Sequence, residues 1–157
     1  MSTQTATKQK TNQVAEGLKT LLADTYALLG QTHLAHWNVE GPAFFALHAA
    51  FQTQYEELFT AVDEIAERLR ALDFYAPGGL SALAKASGIR EMEAGAAPAK
   101  DFVAHLIEGH ETLLAGAHEL RDTCDTAKDL ETQDLVIARI QAHEKTLWML
   151  KSFLKNL

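Results

Sequence analysis

Apolar residues recur at helical spacing through almost the whole chain, and that rhythm limits what the chain can fold into. From Val14 they fall at Leu18, Leu21, Leu22, Leu28 and Leu29, one face of a helix predicted over residues 14–39. Gly41-Pro42 ends it, because proline removes a donor and disfavours helix in the residue before it. Proline also suits the first turn of a new helix. A second helix is predicted over 43–72, with Phe44, Leu47, Phe51, Tyr55, Leu58, Val62, Ile65 and Leu69 in register. A third over 99–124 carries Phe102, Leu106, Leu113, Ala117 and Leu120, and a fourth over 130–154 carries Val136, Ile140, Leu147, Leu150 and Leu154. No segment sustains period-two alternation, so no sheet is expected.

Between the pairs lies a link of about 25 residues, broken at Pro77-Gly78-Gly79 and again before Pro98, with a short helix predicted from Ser81 as its N-cap. Two long helices, a long crossover and two more helices predict an all-α, ferritin-like four-helix bundle in which the second and third helices run parallel. A cytokine-like bundle would need two long crossovers and usually a secretory context. The bundle domain is placed at residues 14–157. Residues 1–13 are polar, with Lys8 and Lys10 and no acid, and are predicted to form a flexible, weakly cationic tail.

Of the 157 residues, 47% are apolar, enough for a core without staples. Cys124 is alone, so no disulfide is expected, and it reads as a small buried or half-buried residue without a redox role. Neither a membrane span nor a secretory signal is visible, so a cytoplasmic location is expected. Fourteen Lys and Arg against 21 Asp and Glu give a charge of -7, which argues against a body-wide nucleic-acid surface and suits cation handling.

Seven histidines in an acidic helical chain raise the question of a metal. A di-iron centre inside one bundle needs Glu-x-x-His, and no histidine here has Glu three residues before it. A centre within one chain is therefore not expected. On the second helix, with His48 at zero, Gln52 lies near about 40°, Glu56 about 80°, Asp63 about 60° and Glu67 about 100°, all on one face. His48 and Asp63 are nonetheless about 22 Å apart along the axis, too far to share an ion.

Two copies of this helix packed antiparallel across a two-fold axis would bring His48 of one chain level with Asp63 and Glu67 of the other. His36, just before the Gly-Pro break, joins from the same side. Two imidazoles and two carboxylates suit iron or zinc. The acids also fit a solvated helix face paired within the helix, alongside Glu64, Arg68 and Arg70, and His33, His36 and Trp37 also fit a packing edge.

The run from Thr32 through His36-Trp37-Asn38 to Gly41-Pro42, continued by Phe44, Leu47-His48, Phe51, Tyr55 and Asp63-Glu64-Ile65-Ala66-Glu67-Arg68, resembles the signature of the Dps family, ferritin-like DNA-binding proteins of starved bacterial cells. A second block, His143 to Leu150, resembles the family's C-terminal helix, so the likeness spans nearly the whole chain from residue 14. It implies a hollow homododecamer that oxidises ferrous iron, preferably with hydrogen peroxide, and stores a ferric mineral. Its intersubunit sites would each take two ferrous ions, with zinc as a substitute. The catalytic ligands map onto His36 and His48 of one subunit and Asp63 and Glu67 of the other, and Trp37 would intercept stray oxidising equivalents.

Where the family usually has a carboxylate four residues after the second histidine, this chain has Gln52, a weaker ligand for a hard cation. The second iron position would then draw on water, Glu56 or His33. Asp129 and Asp134 fall at the family's acidic iron-entry pores, and equally at an N-cap and first turn. Non-specific DNA would be met through Lys8 and Lys10 of the tail, with nucleoid association if it binds. The alternative is a DNA-compacting or structural shell with a degraded metal centre.

Overall fold

A computed structural model describes residues 3–155. The helices are α1 (Thr3–Asn38), α2 (Phe44–Ala71), α3 (Leu80–Ala86), α4 (Ala99–Ala127) and α5 (Leu130–Leu154), with no strand among the described residues. α1 packs against α2 and α4, α4 against α5, and α3 lies on α1, so the predicted bundle with a crossover helix is what forms.

The predicted tail is a correction. α1 begins at Thr3, and residues 1 and 2 lie outside the described residues. Nothing between Thr3 and Val14 breaks a helix, and the segment adds turns to one already anchored by buried Val14, Ala15 and Leu18. Lys10 Nζ donates to the Thr126 carbonyl at 3.0 Å. It thus supplies the positive charge that the last turn of α4 lacks in its own sequence.

The α1–α2 break is a tight turn. Gly41 has φ +97°, a conformation glycine adopts without Cβ strain, and Phe44 N–H bonds its carbonyl at 3.0 Å. This turn sets His36, near the end of α1, beside His48, in the second turn of α2. α3 starts two residues earlier than predicted, with Gly79 at φ +84° as its cap rather than Ser81. α4 runs on to Ala127 and stops where Lys128 enters the left-handed region at φ +60°.

Two buried polar residues two turns apart on one face of α1 hold the crossover. Asp24 accepts from Ser87 Oγ and from Gly88 N–H, each at 2.8 Å, and Gln31 Oε1 accepts from Met92 N–H at 2.8 Å. The same Gln31 oxygen accepts from His105 Nε2 at 2.9 Å, tying α4 to the crossover. Helices α1 and α4 touch closely at Gly109, where a Cβ would lie 2.9 Å from Leu28 Cδ1. Cys124 is buried, and burial first, then the Asp129 carboxylate, pushes its thiol up to about 11, which keeps it protonated and inert.

Asp129 caps α5. One oxygen accepts from Thr132 N–H at 3.0 Å and from Arg68 at 2.9 Å, and the other accepts from the Thr132 hydroxyl at 2.7 Å. Asp129→Ala is expected to cost about 2 kcal/mol, since the cap and the α2–α5 tie are lost together. A urea midpoint lowered at unchanged slope would check it.

Candidate metal centre

His36 and His48 face each other with ring centroids 3.7 Å apart and planes 19° apart. His36 Nδ1 lies 2.9 Å from the His48 carbonyl oxygen, and His48 Nδ1 lies 2.9 Å from the His36 carbonyl oxygen. A carbonyl only accepts, so both Nδ1 atoms carry the proton. In the neutral ring that arrangement leaves Nε2 with the lone pair, the form in which imidazole binds a metal. The lock is reciprocal and uses backbone oxygens, so it comes with the α1–α2 turn itself.

Aromatic rings hold the pair in place. Tyr55 meets His36 edge-on at 5.1 Å and Phe44 lies against His48 at 4.9 Å. His33 stacks on Trp37 at 5.1 Å with planes 4° apart and also touches Tyr55 at 4.3 Å. Burial and the neighbouring His36 both lower its pKa, so it sits neutral within an aromatic stack.

The carboxylates lie elsewhere on α2. Asp63 and Glu67 are exposed, about 22 Å and 28 Å along the helix from His48. No group of three or more His, Cys, Asp or Glu gathers within the chain among the described residues. The pairing of these acids with nearby arginines does not form: Arg68 turns to Thr132 and Asp129, and Arg70 to the Phe74 carbonyl and the Tyr75 ring. Asp63 and Glu67 are left as unpaired carboxylates on an open face. Gln52 donates to Glu56 Oε1 at 2.8 Å, so the one neutral residue in the row is tied to the acid a turn later.

That face also carries two rings absent from the sequence-based core. Phe45 is 86% and Phe59 69% exposed. On the same helical wheel they fall at about 60° and about 20°, among Gln52, Glu56 and Asp63. Large exposed aromatics in a row with acids make this an apolar and acidic surface left uncovered by the described residues. The signal was present, since two phenylalanines off the core stripe of a long helix are unusual in a solvated face.

A family model described as a ferritin-like domain matches residues 15–157. A DNA protection during starvation protein of Bacillus anthracis is 33% identical over 92% of this chain and 98% of its own length. The chain belongs to the Dps family. Its fold matches the crystal structure of a Dps protein from Bacillus brevis with a TM-score of 0.90 and 31% identity, over 99% of this chain and all of that one. A Vibrio cholerae Dps, described as one of a broad superfamily of ferritin-like diiron-carboxylate proteins, matches with a TM-score of 0.89 and 30% identity, over 94% and 92% of the two chains.

The Dps fold brings His36 and His48 together and leaves Asp63 and Glu67 exposed, away from them on α2. Trp37, 69% exposed, lies one stacking contact from His33. Of the two pore residues expected in a Dps, Asp134 is exposed, whereas the carboxylate of Asp129 is spent on its cap and on Arg68. Lys8 is exposed, and Lys10 is engaged at Thr126. None of the described helices is long and apolar enough to cross a membrane.

Proposed function

We propose that the protein is a cytoplasmic ferroxidase and iron store whose sites are built between two copies packed antiparallel through α2. Each site takes His36 and His48 from one copy and Asp63 and Glu67 from the other, and symmetry makes two sites per pair. The observation that carries this reading is the reciprocal lock of His36 and His48, which engages both Nδ1 atoms on backbone oxygens and leaves the two Nε2 atoms for a metal. Phe45 and Phe59 supply apolar area on the same face, and the unpaired acids supply charge and hard oxygen ligands for a divalent cation.

Iron is the substrate. Two ferrous ions each give up one electron, hydrogen peroxide takes the pair together with two protons, and two ferric ions and two waters result. Taking both electrons at one site avoids release of hydroxyl radical. Trp37 is the exposed ring best placed to accept an oxidising equivalent that escapes. Gln52 makes the second ion's place the weaker one, shared with Glu56 and water, while His33 packs rather than ligates. Zinc fits the same mixed N and O donor set as a competitor. Twelve copies enclosing a ferric mineral, with Asp134 at the entry pores, complete the reading. DNA is left out of it, because the charge is -7 and Lys10 is held at the end of α4.

Stopped-flow oxidation by metal-free protein at about two ferrous ions per site tests it, with peroxide compared against oxygen. Oxidation well above the buffer rate, faster with peroxide, is expected. A rate equal to buffer would sink the reading and leave a structural shell with a centre disabled at Gln52.

A further inference from the structure

A second polar cluster lies in the middle of the bundle, where neither the sequence reading nor the iron chemistry uses it. His110 of α4 and His143 of α5 are each 1% exposed, with ring centroids 5.0 Å apart and Nδ1 atoms 2.9 Å apart. Arg139, one turn before His143, is 6% exposed and lies with Nη2 3.2 Å from His143 Nε2. Its guanidinium forks onto both oxygens of Glu57 on α2.

The proton positions follow from the arginine. A guanidinium only donates, so His143 Nε2 accepts and His143 carries its proton on Nδ1. That proton is donated to His110 Nδ1, and His110 carries its own on Nε2, a buried atom with no partner. One run of donors thus passes from Arg139 through His143 to His110 and ties α2, α5 and α4.

A further proton has no place in this run. On His143 it would sit on Nε2, against the Arg139 N–H; on His110 it would sit on Nδ1, against the His143 N–H. Either way one hydrogen bond becomes a donor facing a donor, and a second buried cation appears beside Arg139. From α5 the charged neighbour is Arg139, from α2 it is Glu57, already spent on Arg139, and among the described residues no charged group of α1 acts on either ring.

We propose that the Arg139–His143–His110 run is an acid-operated latch: uptake of a proton by the imidazole pair breaks it and releases α5 from α4 and α2, while the α1–α2 hairpin stays closed. The direction of titration agrees. Burial first, then Arg139, brings His110 down to about 4, and burial, His110 and Arg139 hold His143 well below its ordinary value. An opened pair titrates near about 6.5, so the opened form takes up protons that the closed form refuses. The latch therefore has its full strength above that value and loses it as pH falls through 6.5 towards 4.

Hydrogen exchange of the full-length protein at pH 7.5 and 5.0, corrected for the intrinsic rate, tests it. Opening of α5 and the adjoining turns of α4 is expected to rise about thirtyfold for one proton, with α1 and α2 unchanged. The double variant His110→Phe/His143→Leu is expected to lose this pH dependence. Equal protection of α5 at both pH values, equal loosening of all helices, or the same acid response in the double variant would each overturn the latch. Should that variant not fold, the helix-by-helix pattern in the unaltered protein decides alone.

Discussion

His36→Ala is expected to lower peroxide-driven iron oxidation by about a hundredfold at limiting iron, with the assembly intact. The change removes one Nε2 and leaves the rest of the lock standing, because His48 donates to the backbone oxygen of residue 36, which alanine also has. Asp63→Ala is expected to do the same from the other end of α2. Co-assembly of the two variants gives the sharper result. In a mixed pair one site lacks both the histidine and the aspartate while the other is whole, so random mixing restores about a quarter of the original rate. Stopped-flow absorbance on refolded mixtures measures it. No recovery on mixing, with each variant alone inactive, would mean that the four residues do not form sites between two copies.

Phe51→Ala is expected to have the largest effect on stability. Phe51 is fully buried at the centre of the α2 core stripe, and truncating such a ring costs about 3–5 kcal/mol through lost transfer energy and the cavity left behind. It lies on the opposite side of α2 from the unpaired acids, so the oxidation rate per folded subunit is expected to stay near the original. Urea unfolding at one fixed protein concentration checks the first claim, since assembly couples stability to concentration. A midpoint unchanged by the substitution would mean that the α2 core is not packed as described.

Phe51 and Asp63 show how different kinds of information are carried along one helix, α2. The core stripe of Leu47, Phe51, Leu58, Ile65 and Leu69 is legible as a repeat, because burial of an amphipathic helix demands it at every turn. The row of His48, Gln52, Asp63 and Glu67 is legible as a shared face, although whether it meets solvent or a partner is not a property of its spacing. Arg68 and Arg70 show why. By position they suit the acids beside them, yet one turns to Asp129, 61 residues away, and the other to the loop after α2. The exposed Phe45 and Phe59 then add apolar area to that acidic face, which the proposed packing of two copies would cover.

Local rules misled in two places. The polar stretch before Val14 has the composition of a tail, but helix propagation from an anchored segment costs little, and Lys10 finds a carbonyl on α4 to bind. Ser81 is a good cap residue by type, but Gly79 takes the positive φ the chain needs on entering α3. Asp129 was readable both as pore and as cap, and in the folded chain the cap occupies its oxygens.

The amino-acid order by itself determined the four long helices, the two breaks between the pairs, the absence of a Glu-x-x-His centre and the residues that share the outer face of α2. Each of these depends on residues a few positions apart, through backbone geometry that repeats. Only the tertiary structure decided which ring nitrogens of His36 and His48 meet backbone oxygens, the freeing of Asp63 and Glu67 from their arginines, and the buried run from Arg139 to His110. Each of those depends on which donor meets which acceptor across helices, and such meetings are set by how the helices pack.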